Sequence, residues 1–178
     1  AGEYSLTAWR KAFGVVAQGS PLMEGTIREN ICYGCERPVS QEELEKIAKQ
    51  SRVYDFVSRL PDGFDTMVTS GGQNFSGGQR QCIAIARAMW APDYLLLDEA
   101  TSNLDARSER AVMEALDELM RDRTTVIIAH SLSAIRKADH VIVLRDGEVE
   151  ASGSPKQIME ASGNYLAKVM GRKRPEMA

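Results

Sequence analysis

The sequence predicts an α/β fold, a mostly parallel sheet flanked by helices, with an α-helical subdomain inserted into it. Three observations carry this. Tyr94-Leu95-Leu96-Leu97 is a continuous apolar run, too short for a helix, that ends in two acids, Asp98 and Glu99, as a central parallel strand does. Ala111, Val112, Ala115, Leu116, Leu119 and Met120 then trace one helical stripe, and Thr125-Val126-Ile127-Ile128-Ala129 reads as the next buried strand, so strand, helix and strand form a right-handed crossover. From about Thr26 to Met89 helical signals dominate and strand signals are few.

In chain order, Phe13-Gly-Val-Val-Ala17 is a short apolar run with β-branched residues that stops at the turn cluster Gln18-Gly19-Ser20-Pro21, a buried strand leading into a loop. Ser40 with Glu43 three residues on is a capping box, and Leu44, Ile47 and Ala48 fall on one face of the helix it opens. Arg80 to Met89 is the clearest helix of the subdomain. After the crossover, His140 to Leu144, Asp146-Gly147 and Glu148 to Ala151 spell a hairpin, followed by a helix near Ser154 to Glu160 and a basic tail at Arg172-Lys173-Arg174.

With 178 residues, 43% of them hydrophobic, the chain can bury a core of its own. A charged fraction of 26% and a net charge of −3 give no electrostatic reason to expect nucleic acid as a partner. No stretch approaches the roughly 18 consecutive apolar residues of a membrane helix, so a link to a membrane would be indirect. Cys32 and Cys35 form a C-x-x-C and Cys82 lies in another helix pattern. The pair lacks the strand and helix of a thioredoxin-like site and the four ligands of structural zinc, and is read as reduced thiols.

Three strands end in polar residues: Gln18, Asp98-Glu99 and His130. In a parallel sheet these would line the one edge where ligands bind. Adjacent acids at a strand end suit a magnesium ligand beside a separate base, because alternate side chains point to opposite sides. An amide can orient water or complete a magnesium shell, and a histidine can donate to a terminal phosphate oxygen. Phe75-Ser76-Gly77-Gly78-Gln79 precedes a helix and offers two glycines and a hydroxyl at its start, an anion site at a helix N-terminus.

Taken in order, these pieces resemble the nucleotide-binding domain of ABC transporters over nearly the whole chain. Gln18 matches the Q-loop glutamine, and Phe75 to Gln79 match the signature Leu-Ser-Gly-Gly-Gln with Phe for Leu. Leu95 to Glu99 match Walker B, Ser102-Asn103-Leu104-Asp105 the D-loop with Asn for Ala, and Ala129-His130 the switch. Gly25-Thr26-Ile27-Arg28-Glu29-Asn30-Ile31 resembles the segment after the Q-loop in exporters. The resemblance implies a partial P-loop ATPase core, with residues 1–20 as core strand and Q-loop, about 21–91 as the helical subdomain, and about 92–178 as the remaining core. It implies ATP and Mg2+, with Asp98 and Gln18 on the metal, Glu99 as general base, and His130 and Gln18 around the γ-phosphate. It also implies two partners, the transmembrane part of an exporter and a second ATPase domain paired head to tail. Phe75, Ser76, Gly77, Gly78 and Gln79 would contact the partner's ATP, with Asp105 at the interface, on the cytoplasmic face of a membrane.

One departure matters most. A phosphate loop needs G-x-x-x-x-G-K-S/T, and the chain contains no Gly-Lys dipeptide. The sequence is therefore expected to be truncated upstream of the Q-loop, to be inactive alone, and to leave apolar surface and a strand edge uncovered. Ser70 stands where exporters carry Glu, and Met89-Trp90-Ala91-Pro92 is a shortened stretch. The rival readings are a soluble ABC ATPase of DNA repair or translation, against which Thr26 to Ile31 argue, and a non-catalytic dimerisation module.

Overall fold

A computed structural model describes residues 5–19, 21–91, 93–101, 104–128 and 132–160. It groups into two compact units, residues 1–128 and 129–178. In the first, β1 (Phe13–Val16), β4 (Tyr94–Asp98) and β5 (Thr124–Ile128) form a parallel sheet in the order β1-β4-β5. Its register pairs Val16 with Leu97 and Leu97 with Ile127, which brings the C-terminal ends of β1 and β4 side by side. The crossover from β4 to β5 runs through α6 (Ala106–Met120), whose Val112, Ala115, Leu116 and Leu119 are buried as the stripe requires.

The segment read as helical contains α2 (Ile27–Cys32), α3 (Gln41–Gln50), the short α4 (Tyr54–Val57) and α5 (Gly77–Ala88). It also contains two strands that the sequence did not announce, β2 (Gly25–Thr26) and β3 (Met67–Val68), paired antiparallel. Each is two residues long, too short to carry a period-2 pattern. The Ile27 N–H donates to the Thr66 carbonyl at 3.0 Å and extends this neck. A second addition is α1 (Leu6–Lys11), capped by Ser5, whose Oγ accepts from the Ala8 N–H at 3.1 Å. Its Trp9 packs at a tilt against Phe13, which stacks on Tyr94, at centroid separations of 4.7 and 5.2 Å.

α5 is the pivot of the core. Cys82, Ile83, Ile85, Ala86 and Ala88 are buried, packed in one cluster with Val16, Leu95, Leu97, Ile31 and Leu119. At Gly14 of β1 an added Cβ would lie 2.8 Å from the Ala88 carbonyl oxygen and 2.9 Å from Leu95 Cδ2, so only glycine lets the strand lie this close to the end of α5. The opposite sheet face is open. Val15, Leu96 and Val126 share one register row, and Val15, Val126 and Ile128 are each more than half exposed.

The second unit contains α7 (Leu132–Lys137), the hairpin β6 (Val141–Arg145) and β7 (Glu148–Gly153), and α8 (Pro155–Glu160). Asp146 and Gly147 turn the hairpin at φ 51° and 82°, as the Asp-Gly pair predicts. Val141, Val143 and Ile158 form its small core. Among the described residues no helix is long and apolar enough to cross a membrane.

Candidate functional site

The first cluster forms where β1 and β4 end. Leaving β1, the chain turns at Gly19 with φ 72°, and Gln18 Nε2 donates to Glu99 Oε2 at 3.1 Å. Asp98 closes β4, whereas Glu99 has already left the strand with φ 46°. The expectation that both acids belong to the alternation of one strand is thus corrected: Glu99 lies in a left-handed turn beyond the end of β4. A non-glycine residue in that region is strained and needs its surroundings to hold it. Here the Glu99 N–H donates to the Ile128 carbonyl at 3.1 Å, tying the turn to β5. Both acids are half-buried.

The second cluster is built on two helix N-termini. Ser76 caps α5: its Oγ accepts from the Gln79 N–H at 3.2 Å, while Gln79 Oε1 accepts from the Ser76 N–H at 2.9 Å. Phe75 is buried against Phe56, and its carbonyl accepts from Arg80 Nη1 at 2.7 Å. Ser76 and Gly77 remain exposed. Asp105 begins α6 by accepting the Ser108 N–H on Oδ1 at 3.1 Å and the Glu109 N–H on its main-chain oxygen at 2.8 Å.

α5 and α6 meet at these ends. A Cβ on Gly78 would sit 2.6 Å from Ser108 Cβ, and one on Gly77 would lie 3.5 Å from Leu104 Cδ2. Beside the crossing opens a cavity of about 670 Å³ lined by Arg52, Arg59, Ser76, Gly78, Gln79 and Ser108. Two helix dipoles present their positive ends here beside Arg52 and Arg59, but the Asp55 carboxylate also lines the cavity and Arg52 is paired with Glu114 at 2.9 Å, so charges of both signs meet in it. The sequence did not single out Ser108, Arg52 or Arg59. Ser108 lies three residues beyond an Asp N-cap, a readable signal for the helix start but not for its neighbour on α5.

The structure thus joins Gln18 to Glu99 and the glycines of 75–79 to the start of α6. These are separate clusters, one at strand ends and one at helix starts. His130 lies outside the described residues, as do Ser102 and Asn103.

The family model described as "ABC transporter" matches residues 2–102, more than half of the chain. The chain belongs to the ABC transporter family. An ATP-dependent lipid A-core flippase of Pseudoalteromonas translucida is 47% identical over 93% of this ABC transporter chain, which covers 29% of that relative. ABC multidrug transporter MDR5 of Trichophyton rubrum is 42% identical over 92% of the chain, covering 13% of the relative. Among solved structures, a bacterial Atm1-family ABC exporter with ATP bound superimposes with a TM-score of 0.84 at 38% identity, over 97% of this chain and 30% of that one. The chain therefore spans under a third of the length of these relatives.

No group of three or more metal-ligating side chains converges among the described residues. Magnesium at nucleotide sites is commonly held by one or two protein ligands, with phosphates and water supplying the others. Asp98 at the end of β4 and Gln18 across from it have the oxygen chemistry for this role.

Proposed function

We propose that this chain is the ATP-hydrolysing part of an ABC exporter, working at the cytoplasmic face of a membrane beside the exporter's transmembrane part. The observation that carries the reading is the Gln18–Glu99 contact of 3.1 Å at the aligned ends of β1 and β4. It places a carboxylate able to accept a proton from water against an amide able to orient that water. Asp98 and Gln18 would hold Mg2+, which supplies charge neutralisation on the phosphates. Glu99 acts as general base, and His130, together with Gln18, would contact the γ-phosphate. The subdivision into a core strand (1–20), a helical subdomain (about 21–91) and a second core part (about 92–178) belongs to this same reading.

The split into two clusters supports pairing with a second ATPase domain. In the segment Phe75, Ser76, Gly77, Gly78 and Gln79, Ser76 and Gly77 are exposed at a helix start while Phe75 and Gly78 are buried behind them; the segment lies apart from the carboxylates of its own chain and suits a nucleotide presented by another domain. Asp105, at the adjacent start of α6, lies at that interface. ATP bound between two such domains closes them head to tail, and closure drives transport. The flippase and multidrug relatives support a lipid or drug as cargo.

Because no G-x-x-x-x-G-K-S/T sequence occurs in these residues, the chain by itself lacks the backbone cradle and lysine that position the phosphates. Calorimetric titration with Mg-ATP is expected to give no saturable heat in the micromolar range. The same chain joined to a phosphate loop binds and hydrolyses, and Glu99→Gln there lowers kcat by about 100-fold or more while binding persists. Micromolar saturation by the chain alone, or full turnover by the Glu99→Gln protein, would overturn the assignment.

A further inference from the structure

The site described above uses neither Cys32 nor Cys35, and their surroundings are built in an unusual way. α2 ends at Cys32, and Tyr33 follows with φ −59° and ψ 124°. Gly34 has φ 90°, and the Cys35 N–H donates to the Cys32 carbonyl at 3.0 Å. These are the features of a hydrogen-bonded type II β-turn, with the two cysteines at its first and fourth positions. No atom lies within 4 Å of where a Gly34 side chain would begin, so glycine is there for its backbone conformation and not for space.

Such a turn holds its end Cα atoms within about 7 Å, and a disulfide spans about 4.4–6.8 Å between Cα atoms. Packing does not explain the pair either: Cys32 rests on the margin of the core, whereas Cys35 lies off it, and both are half-buried and free. We propose that Cys32 and Cys35 form a dithiol modification site, which a small-molecule disulfide such as glutathione disulfide converts to an intramolecular disulfide across the turn.

The exchange balances without any other oxidant. The Cys35 thiolate attacks one sulfur of the small disulfide, forming a mixed disulfide and expelling one thiolate, which takes up the Cys35 proton. The Cys32 thiolate then attacks the Cys35 sulfur, closing the Cys32–Cys35 bond and releasing the second thiol with the second proton. The protein loses two electrons and the small disulfide gains them. Burial raises the pKa of both thiols; Arg28 partly offsets this at Cys32, and at Cys35 Arg37 does so against Cys32 and Glu43. The resting pair is thus protonated near neutral pH, and closure quickens as pH rises.

Cys82 provides an internal control, because burial pushes its thiol up to about 12 and keeps it inert in the folded chain. The test equilibrates the full chain in glutathione buffers of graded ratio, native and in urea, then traps free thiols by alkylation and reads each peptide by mass spectrometry. A Cys32–Cys35 linkage is expected, with an effective thiol concentration at least tenfold higher in the native chain than in urea. In Cys32→Ser the reaction should stop at one glutathione on Cys35, and Gly34→Ala should reduce the native advantage several-fold. Equal closure in urea, or separate glutathione adducts on both cysteines of the native chain, would overturn the proposal.

Discussion

Gly78 is buried in the first turn of α5, and its lack of a side chain lets α6 approach so closely that a methyl group would stand 2.6 Å from Ser108 Cβ. Gly78→Ala should therefore destabilise the chain by about 1–3 kcal/mol through overpacking, read as a lowered urea midpoint, with part of the loss recovered in the Gly78→Ala, Ser108→Gly double variant. Unchanged stability in the single variant would mean that the helices separate without cost. The Ser76–Gln79 reciprocal cap was within reach of the sequence, because its donors and acceptors are three residues apart. The contact with Ser108 was not, since it depends on where two helices cross, 30 positions apart in the chain. Glu99 is similar: its acid is readable from Leu-Leu-Leu-Asp-Glu, but its positive φ is not.

At the scale of elements, α2 explains why the exporter-like segment has the residues it has. Thr26 and Glu29 form a capping box, with Thr26 Oγ1 accepting at 3.0 Å from the Glu29 N–H and Glu29 Oε2 accepting from the Thr26 N–H at 2.6 Å. Asn30 is fully buried. Its Oδ1 accepts from the Met23 N–H and from Arg87 Nη2, and its Nδ2 donates to the Met23 and Thr26 carbonyls, all within 2.9–3.1 Å. This one amide joins the loop after Gln18 to α2 and α5. Asn30→Ala removes the side-chain partner of Arg87 Nη2 and both partners of the Met23 backbone, while Arg87 Nε keeps the Asn30 main-chain oxygen, and should cost about 2–4 kcal/mol of unfolding free energy. A loss under about 1 kcal/mol would show that water replaces the amide. The cap of α3 follows from sequence because it is local; the cap of α2, equally local, was not singled out. α1 and the β2–β3 pair escape sequence reading because six- and two-residue elements fall below the length at which periodicity can speak, and what accompanies them is the tilted Trp9–Phe13 contact and a neck that pairs Thr26 with Met67.

For the whole molecule, the consequence lies in the open face of the sheet. Val15, Leu96, Val126 and Ile128 present a continuous apolar surface, and β5 is an edge strand largely exposed on both faces. A face of this kind invites association. The chain should bind a hydrophobic dye and sediment with concentration dependence, and a Leu96→Lys, Val126→Lys double variant should reduce both. A strictly monomeric, dye-negative parent chain would show that this face is covered in solution. The parallel strands and the crossover were legible because buried parallel strands read as unbroken apolar runs; their order in the sheet was not. Which face stays open was not, since β4 is equally apolar at Leu95, which is covered, and at Leu96, which is not.

The neck at Gly25–Thr26 and Met67–Val68 sets the separation of the two ends of the intervening segment independently of its contents. Lengthening the connection from Tyr33 to Val39 would then draw on loop-closure entropy, about 0.6 kcal/mol for each doubling, and on the few local ties of that stretch, such as the exposed Arg37–Glu43 ion pair. Tolerance to extra residues should concentrate there, where new length, and with it new binding surface, can be added while the sheet and α5 stay as they are.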